Sequence, residues 1–190
     1  MLSTKITDNK IVDESILIAI SLGVICTLGP LKIDFASGLP TTLQSLLVVW
    51  FALAFGLRVG LTSVLSYLFL GGLGFEVFSG GASGWQHFIG SNGGFLLAFP
   101  VGAFIAGSLA QIASTSAIFT KAKFILSAFI LFISQTVILA LGLIWQSMLV
   151  GETIPLVIIM DIFLPGLLIK TAIGTLALVI ITRALNRIKS

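Results

Sequence analysis

The sequence predicts an all-α integral membrane protein with six membrane-spanning helices and both termini in the cytoplasm. Three observations predict it. Only 9% of the 190 residues are charged, 57% are hydrophobic and mean hydropathy is +1.19, whereas a soluble domain carries about 25% charged residues. The apolar residues form continuous runs, not the alternation that a membrane β-barrel requires, and a segment in lipid must pair its own backbone groups. The basic residues, finally, sort by side once the runs are numbered. This composition excludes an ordinary cytosolic enzyme, a nucleic-acid binder and a disordered chain.

Residues 1–14 are polar and carry both signs of charge. They do not form a signal-peptide n-region, and no A-x-A-like exit follows the next apolar run. Ile25 is too large for a lipoprotein cleavage site before Cys26, so this cytoplasmic segment is expected to be retained. A single membrane domain, 15–185, then holds spans at about 15–31, 42–57, 60–73, 93–112, 123–149 and 154–185. The last contains Pro165-Gly166, read as a helix break, and Pro100 is read as a kink in the fourth. Residues 186–190 form a cytoplasmic tail. The lone Cys26 excludes an intrachain disulfide, and neither it nor the lone His87 allows a cysteine or histidine metal cluster. No cofactor is expected.

With the N-terminus inside, Lys5, Lys10, Arg58, Lys121, Lys123, Arg183, Arg187 and Lys189 are cytoplasmic, eight of the ten basic residues. Lys32 stands outside with Asp34, Glu76 and Glu152. This is the positive-inside pattern for an even number of spans.

The largest outer loop, 75–92, combines Gly80, Gly81, Gly84 and Gly90 with Phe75, Phe78, Trp85 and Phe88. It reads either as an interfacial aromatic loop or as a lid over an outward pocket. Small residues recur every fourth position in the fourth span (Gly94, Ala98, Gly102, Ala106, Ala110), as internal helix packing requires. In the first span, Ser15, Ala19, Gly23 and Thr27 make a second stripe that suits either internal packing or a membrane partner.

Ionisable groups at membrane depth are costly and mark function. Lys170 is the leading one. It lies a turn beyond Pro165-Gly166, where its ammonium either holds a carboxylate or carbonyl oxygen or snorkels to the outer interface. Asp161 either pairs with it or is solvated. Gln44 either faces an outer cavity or merely starts a helix. Ser91 and Asn92 suit helix capping or a ligand at a helix N-terminus, and Trp145 suits an interfacial anchor or a cavity wall. No nucleophile, acid and base converge, so an enzyme is not expected.

Several segments resemble one family in order along residues 40–170. They are Leu39-Pro40-Thr41-Thr42-Leu43-Gln44, Gly56-Leu57-Arg58-Val59-Gly60 and Tyr67-Leu68-Phe69-Leu70-Gly71-Gly72-Leu73-Gly74. Val77-Phe78-Ser79-Gly80-Gly81, Gly90-Ser91-Asn92-Gly93-Gly94-Phe95-Leu96 and Phe163-Leu164-Pro165-Gly166 with Lys170 complete the set. Jointly they resemble the BioY family, the biotin-binding S components of energy-coupling factor (ECF) vitamin transporters.

The resemblance implies an S-component-like six-helix bundle in a bacterial-type plasma (inner) membrane. It implies biotin bound near the outer face and uptake energised by a partner ECF transmembrane subunit and ATPase subunits. It places Ala19 and Gly23 at that partner interface. It implies a substrate site at Lys170, Asn92, Gly93, Gly94 and Phe95, and Gln44, Phe78, Gly166, Leu167 and Trp145 complete the expected substrate-binding set. Three segments depart from the family pattern. Leu167 replaces the aspartate of Pro-Gly-Asp-x-x-Lys. Gly90-Ser91-Asn92-Gly93-Gly94-Phe95 stands for Gly-Pro-Thr-Gly-Gly-Tyr, and Gly74-Phe75-Glu76-Val77-Phe78 for Gly-Leu-Pro-Val-Phe. The alternatives are an importer of another small vitamin or biotin precursor, and a membrane scaffold without transport.

Overall fold

The computed structural model describes residues 2, 7–34, 40–115, 120–151 and 155–189. Lys5, Leu39 and Glu152, used above for charge and motif, lie outside the described residues. The elements are α1 (Lys10–Leu28), β1 (Lys32–Asp34), β2 (Pro40–Thr42), α2 (Gln44–Phe55), α3 (Leu57–Gly72), α4 (Gln86–Ile89), α5 (Gly93–Thr115), α6 (Thr120–Val150) and α7 (Leu156–Lys189). Among the described residues, four helices are long and apolar enough to cross a membrane: α1, α5, α6 and α7. The apolar helices α2 and α3 are shorter.

Two expectations need correction. The chain is not purely helical, because β1 and β2 pair antiparallel with Lys32 opposite Thr42 and Asp34 opposite Pro40. This ribbon joins α1 to α2, where the chain must reverse. Nor is the last helix broken: α7 is helical through Pro165 and Gly166, as α5 is through Pro100.

Helix boundaries follow local chemistry. Asn9 accepts a hydrogen bond from Ile11 N at 2.9 Å, which caps α1 and starts it five residues before the apolar run. Thr7 donates from its backbone N and its hydroxyl to Asp13, 2.7 Å each, and holds the entry to that helix. Gly56, at φ 95°, turns the chain from α2 to α3 in one residue, a conformation open to glycine at no steric cost. Arg58 therefore sits in the first turn of α3 and pairs with Glu14 of α1 at 3.4 Å.

The core gathers on α2, whose Leu46 and residues 48–54 are buried. Helix α5 packs against α2, α3 and α6. Its small-residue stripe faces inward. Side chains at Gly94 and Gly102 would collide with Trp145 and Ile138 of α6, and one at Gly107 with Leu57. Ser15, Ala19, Gly23 and Thr27 of α1 all lie exposed, with no atom within 4 Å of a Cβ built at Gly23. Exposed Phe104, Phe129, Ile144, Leu168 and Ile180 continue an apolar outer surface suited to lipid.

Candidate functional site

One end of the bundle holds a cavity of about 320 Å³. Its walls come from the start of α2, the loop 73–92, the first half of α5, the second half of α6 and the first half of α7. The Arg58–Glu14 pair marks the opposite end.

The loop contributes Phe78, Ser79, Ala82 and His87 to the cavity wall and turns Phe78 inward. That ring is 2% exposed and meets Tyr67 and Phe88 edge to face, each at 5.7 Å between centroids. Backbone bonds seat the loop on the bundle: Gly80 N donates to Pro30 O at 2.9 Å and Gly84 N to Gly71 O at 2.7 Å. Phe75, Trp85 and Ile89 point outward and are exposed.

Beneath it runs a buried polar chain. Thr42 Oγ1 donates to Gln44 Oε1 at 3.0 Å, the Gln44 amide donates to the Tyr67 hydroxyl, and Tyr67 donates to Val77 O at 3.1 Å. These bonds tie β2, α2, α3 and the loop together. Deeper in, Lys170 is 9% exposed and donates to Ser45 Oγ at 3.1 Å. Gln135 of α6 is 2% exposed and donates to Thr171 Oγ1 at 3.3 Å. No Asp or Glu lines the cavity among the described residues. Asp161 is exposed and lies nine residues before Lys170, more than two helical turns away, so it is not its partner.

Of the residues singled out in the sequence, Lys170, Gln44, Phe78, Asn92, Phe95, Gly166 and Leu167 line this cavity. Gly93, Gly94 and Trp145 do not. Gly94 is where α5 meets Trp145, whose Nε1 donates to Gly90 O at 3.0 Å and so braces the entry to α5 from behind. Sequence reasoning missed Ser45, His87, Gln135 and Gln146. Gln135 was findable: it is an amide inside an apolar run, the signal that marked Lys170. Ser45 and His87 carry no such signal. Among the described residues no group of three His, Cys, Asp or Glu is placed to hold a metal.

Apolar helices around a cavity with one ammonium and several amides define an integral membrane protein built to hold a small molecule. The BioY family sequence model matches residues 3–187, and the chain belongs to that family. It is 38% identical over 130 residues to "Biotin transporter BioY2" of Lactococcus lactis subsp. cremoris, covering 68% of this chain and 66% of that protein. It is 44% identical over 68 residues to "Probable biotin transporter BioY" of Pyrococcus horikoshii, 36% of this chain and 42% of that one. The chain thus aligns with under two thirds of either relative. A solved crystal structure, "the S-component for biotin from an ECF-type ABC transporter", matches with TM-score 0.74 and 25% identity over 96% of this chain and 95% of that one.

Proposed function

We propose that this chain is the substrate-capturing membrane subunit of a vitamin importer and that its cargo is biotin. The observation that carries the reading is the cavity with Lys170 in its wall, in a chain whose relatives are named biotin transporters. Its volume falls at the lower end of small-molecule sites, roughly 300–1,000 Å³. Lys170, Gln44, Phe78, Asn92, Phe95, Gly166 and Leu167 contact the ligand. Gly93, Gly94 and Trp145 act behind them by shaping the α5 entry.

Six helices cross the membrane: α1, α2, α3, α5, α6 and α7. The twelve residues of α2 reach only about 18 Å, but α2 is buried among the other helices and need not match lipid. Both termini are cytoplasmic, with Arg58 inside and the cavity outside, in a bacterial-type inner membrane. The chain has no catalytic role. Energy comes from ATPase subunits through a partner transmembrane subunit, which docks on the exposed Ala19 and Gly23 face of α1.

Tritiated biotin binding to the purified protein tests this. Saturable binding displaced by unlabelled biotin is expected, and its absence overturns the cargo. Topology is tested in a Cys26→Ser background: a membrane-impermeant maleimide labels Trp85→Cys in intact cells, and Arg183→Cys only after permeabilisation. The reverse pattern overturns the orientation. Leu167, standing where the family has a carboxylate, favours a second reading in which the cargo is another small vitamin or a biotin precursor. Mass spectrometry of the co-purified ligand separates the two.

A further inference from the structure

The cavity runs lengthwise along α6. Gln135 and Gln146 of that helix both line it, and the eleven residues from one to the other span about 16 Å. Gln135 donates to Thr171, the neighbour of Lys170, at 3.3 Å, so it marks the depth of Lys170 on α7. There the polar side chains are buried, Lys170 and Gln135 among them. Toward Gln146 they are not: His87 and Gln146 are half-buried, and Asn92 is exposed.

Three elements meet at this outer corner. Trp145, beside Gln146, donates to Gly90 O at 3.0 Å, and a Cβ built on Gly93, where α5 begins, would stand 3.3 Å from His87 O. His87 and Gln146 therefore flank the same turn into α5, and both line the cavity. The His87 ring meets Phe78 at 6.3 Å between centroids. Among the described residues no hydrogen bond holds the imidazole or the Gln146 amide, and none of their nitrogen and oxygen atoms is closed off. The deep groups, by contrast, are engaged: Lys170 with Ser45, and Gln44 with Thr42 and Tyr67. The ionisable residues of the described wall are His87 and Lys170, both basic. Open N–H donors in a wall without a carboxylate suit an anionic oxygen.

We propose that His87 and Gln146 form a carboxylate subsite at the outer end of the cavity, so that an elongated ligand lies with its acid group at the rim and its neutral carbonyl toward Lys170. Biotin has that form, a ureido ring at one end and a carboxylate at the other, and the inference rests on the biotin reading above. Desolvation sets the direction. A carboxylate loses far more than a neutral carbonyl on leaving water, and at the half-buried rim it keeps part of its hydration while it accepts from both side chains.

Isothermal titration of the purified full chain compares biotin with biotinamide, in which a neutral primary amide replaces the carboxylate. Wild-type protein is expected to prefer biotin by at least roughly 10-fold, and equal affinities overturn this inference alone. His87→Leu and Gln146→Leu, on separate elements, keep the bulk and remove the donors. Each should weaken biotin roughly 5- to 20-fold and biotinamide by less than about 3-fold. His87→Gln, which keeps an N–H donor, should restore most of the preference. Unchanged biotin affinity in either leucine variant, or equal loss of both ligands, overturns the proposal. Lys170→Met should weaken the two ligands alike, since both carry the ring carbonyl. A preference that survives both leucine variants and disappears in Lys170→Met puts the carboxylate at the deep end and overturns the proposal as well. Wild-type protein that binds neither ligand overturns the biotin cargo and this inference together.

Discussion

Lys170 Nζ donates to Ser45 Oγ at 3.1 Å and so joins the middle of α7 to the first turn of α2. One turn further on, Trp50 Nε1 donates to Gly174 O at 2.9 Å and repeats the link. A hydroxyl accepts one hydrogen bond but brings no opposing charge. An ammonium at this depth is stabilised further by any ligand oxygen that carries partial or full negative charge.

Lys170→Ala should therefore weaken biotin more than Ser45→Ala. A hydrogen bond from a charged group contributes about 1.5–3 kcal/mol, or roughly 10- to 150-fold in Kd. Ser45→Ala removes only an orienting partner and should cost under about 1.5 kcal/mol. Titration calorimetry on both variants checks the order. Equal affinity of Lys170→Ala and wild type would remove the lysine from the site.

Leu167→Asp restores a carboxylate three residues before Lys170, on the same helix face. Leu167 is 8% exposed and lines the cavity, so the new group would be held within reach of ligand and ammonium together. Tighter biotin binding is expected, by roughly 3- to 30-fold for one added charge-assisted bond. The unliganded protein should lose about 1–3 kcal/mol from the missing apolar side chain and the buried charge. Thermal unfolding with and without biotin reads both effects at once, and weaker binding would contradict the argument.

The helices were legible because lipid writes a strong signal in long apolar runs. Their ends were less so. The cap that Asn9 supplies to α1 is local chemistry in a polar segment, and the β1–β2 ribbon pairs only three residues with three, too few for an alternation to mark it. Lys170 stood out because a charge in an apolar run has few explanations. Gln135 carries the same signal in weaker form and was passed over. Trp145 stayed ambiguous, since an aromatic late in a helix looks the same whether it lines a cavity, anchors at an interface or, as the structure places it, packs on Gly90 and Gly94. That difference is set by helix rotation, which apolar composition on all sides leaves unspecified.

Tyr67→Phe tests the polar chain beneath the loop. The residue is fully buried, and its hydroxyl both accepts from Gln44 and donates to Val77 O. Removing that one oxygen strands a donor and an acceptor together, at about 1–3 kcal/mol for a buried unsatisfied group. A lower unfolding temperature in detergent is expected, along with faster biotin dissociation, because Val77 precedes the inward-facing Phe78. A variant as stable as wild type would show that the chain carries no weight.

Gly71→Val addresses the loop from the other side. A Cβ there would run into the Phe78 ring, and that ring is enclosed by Tyr67 and Phe88, so it has little room to yield. The loop should lift, and biotin should protect the variant less against thermal unfolding than it protects wild type. Undiminished protection would mean that Phe78 does not help to cover the ligand.

Gly23→Leu separates capture from transport. Nothing lies within 4 Å of a Cβ at this position, so the larger side chain disturbs no contact among the described residues, and Gly23 does not line the cavity. Biotin affinity of the isolated subunit should stay within about 2-fold of wild type. Uptake by cells that supply the energising subunits should fall at least roughly 10-fold, because close helix approach through small residues tolerates no bulky side chain. Normal uptake would show that the partner docks elsewhere, whereas lost binding would mean that the first helix shapes the cavity after all.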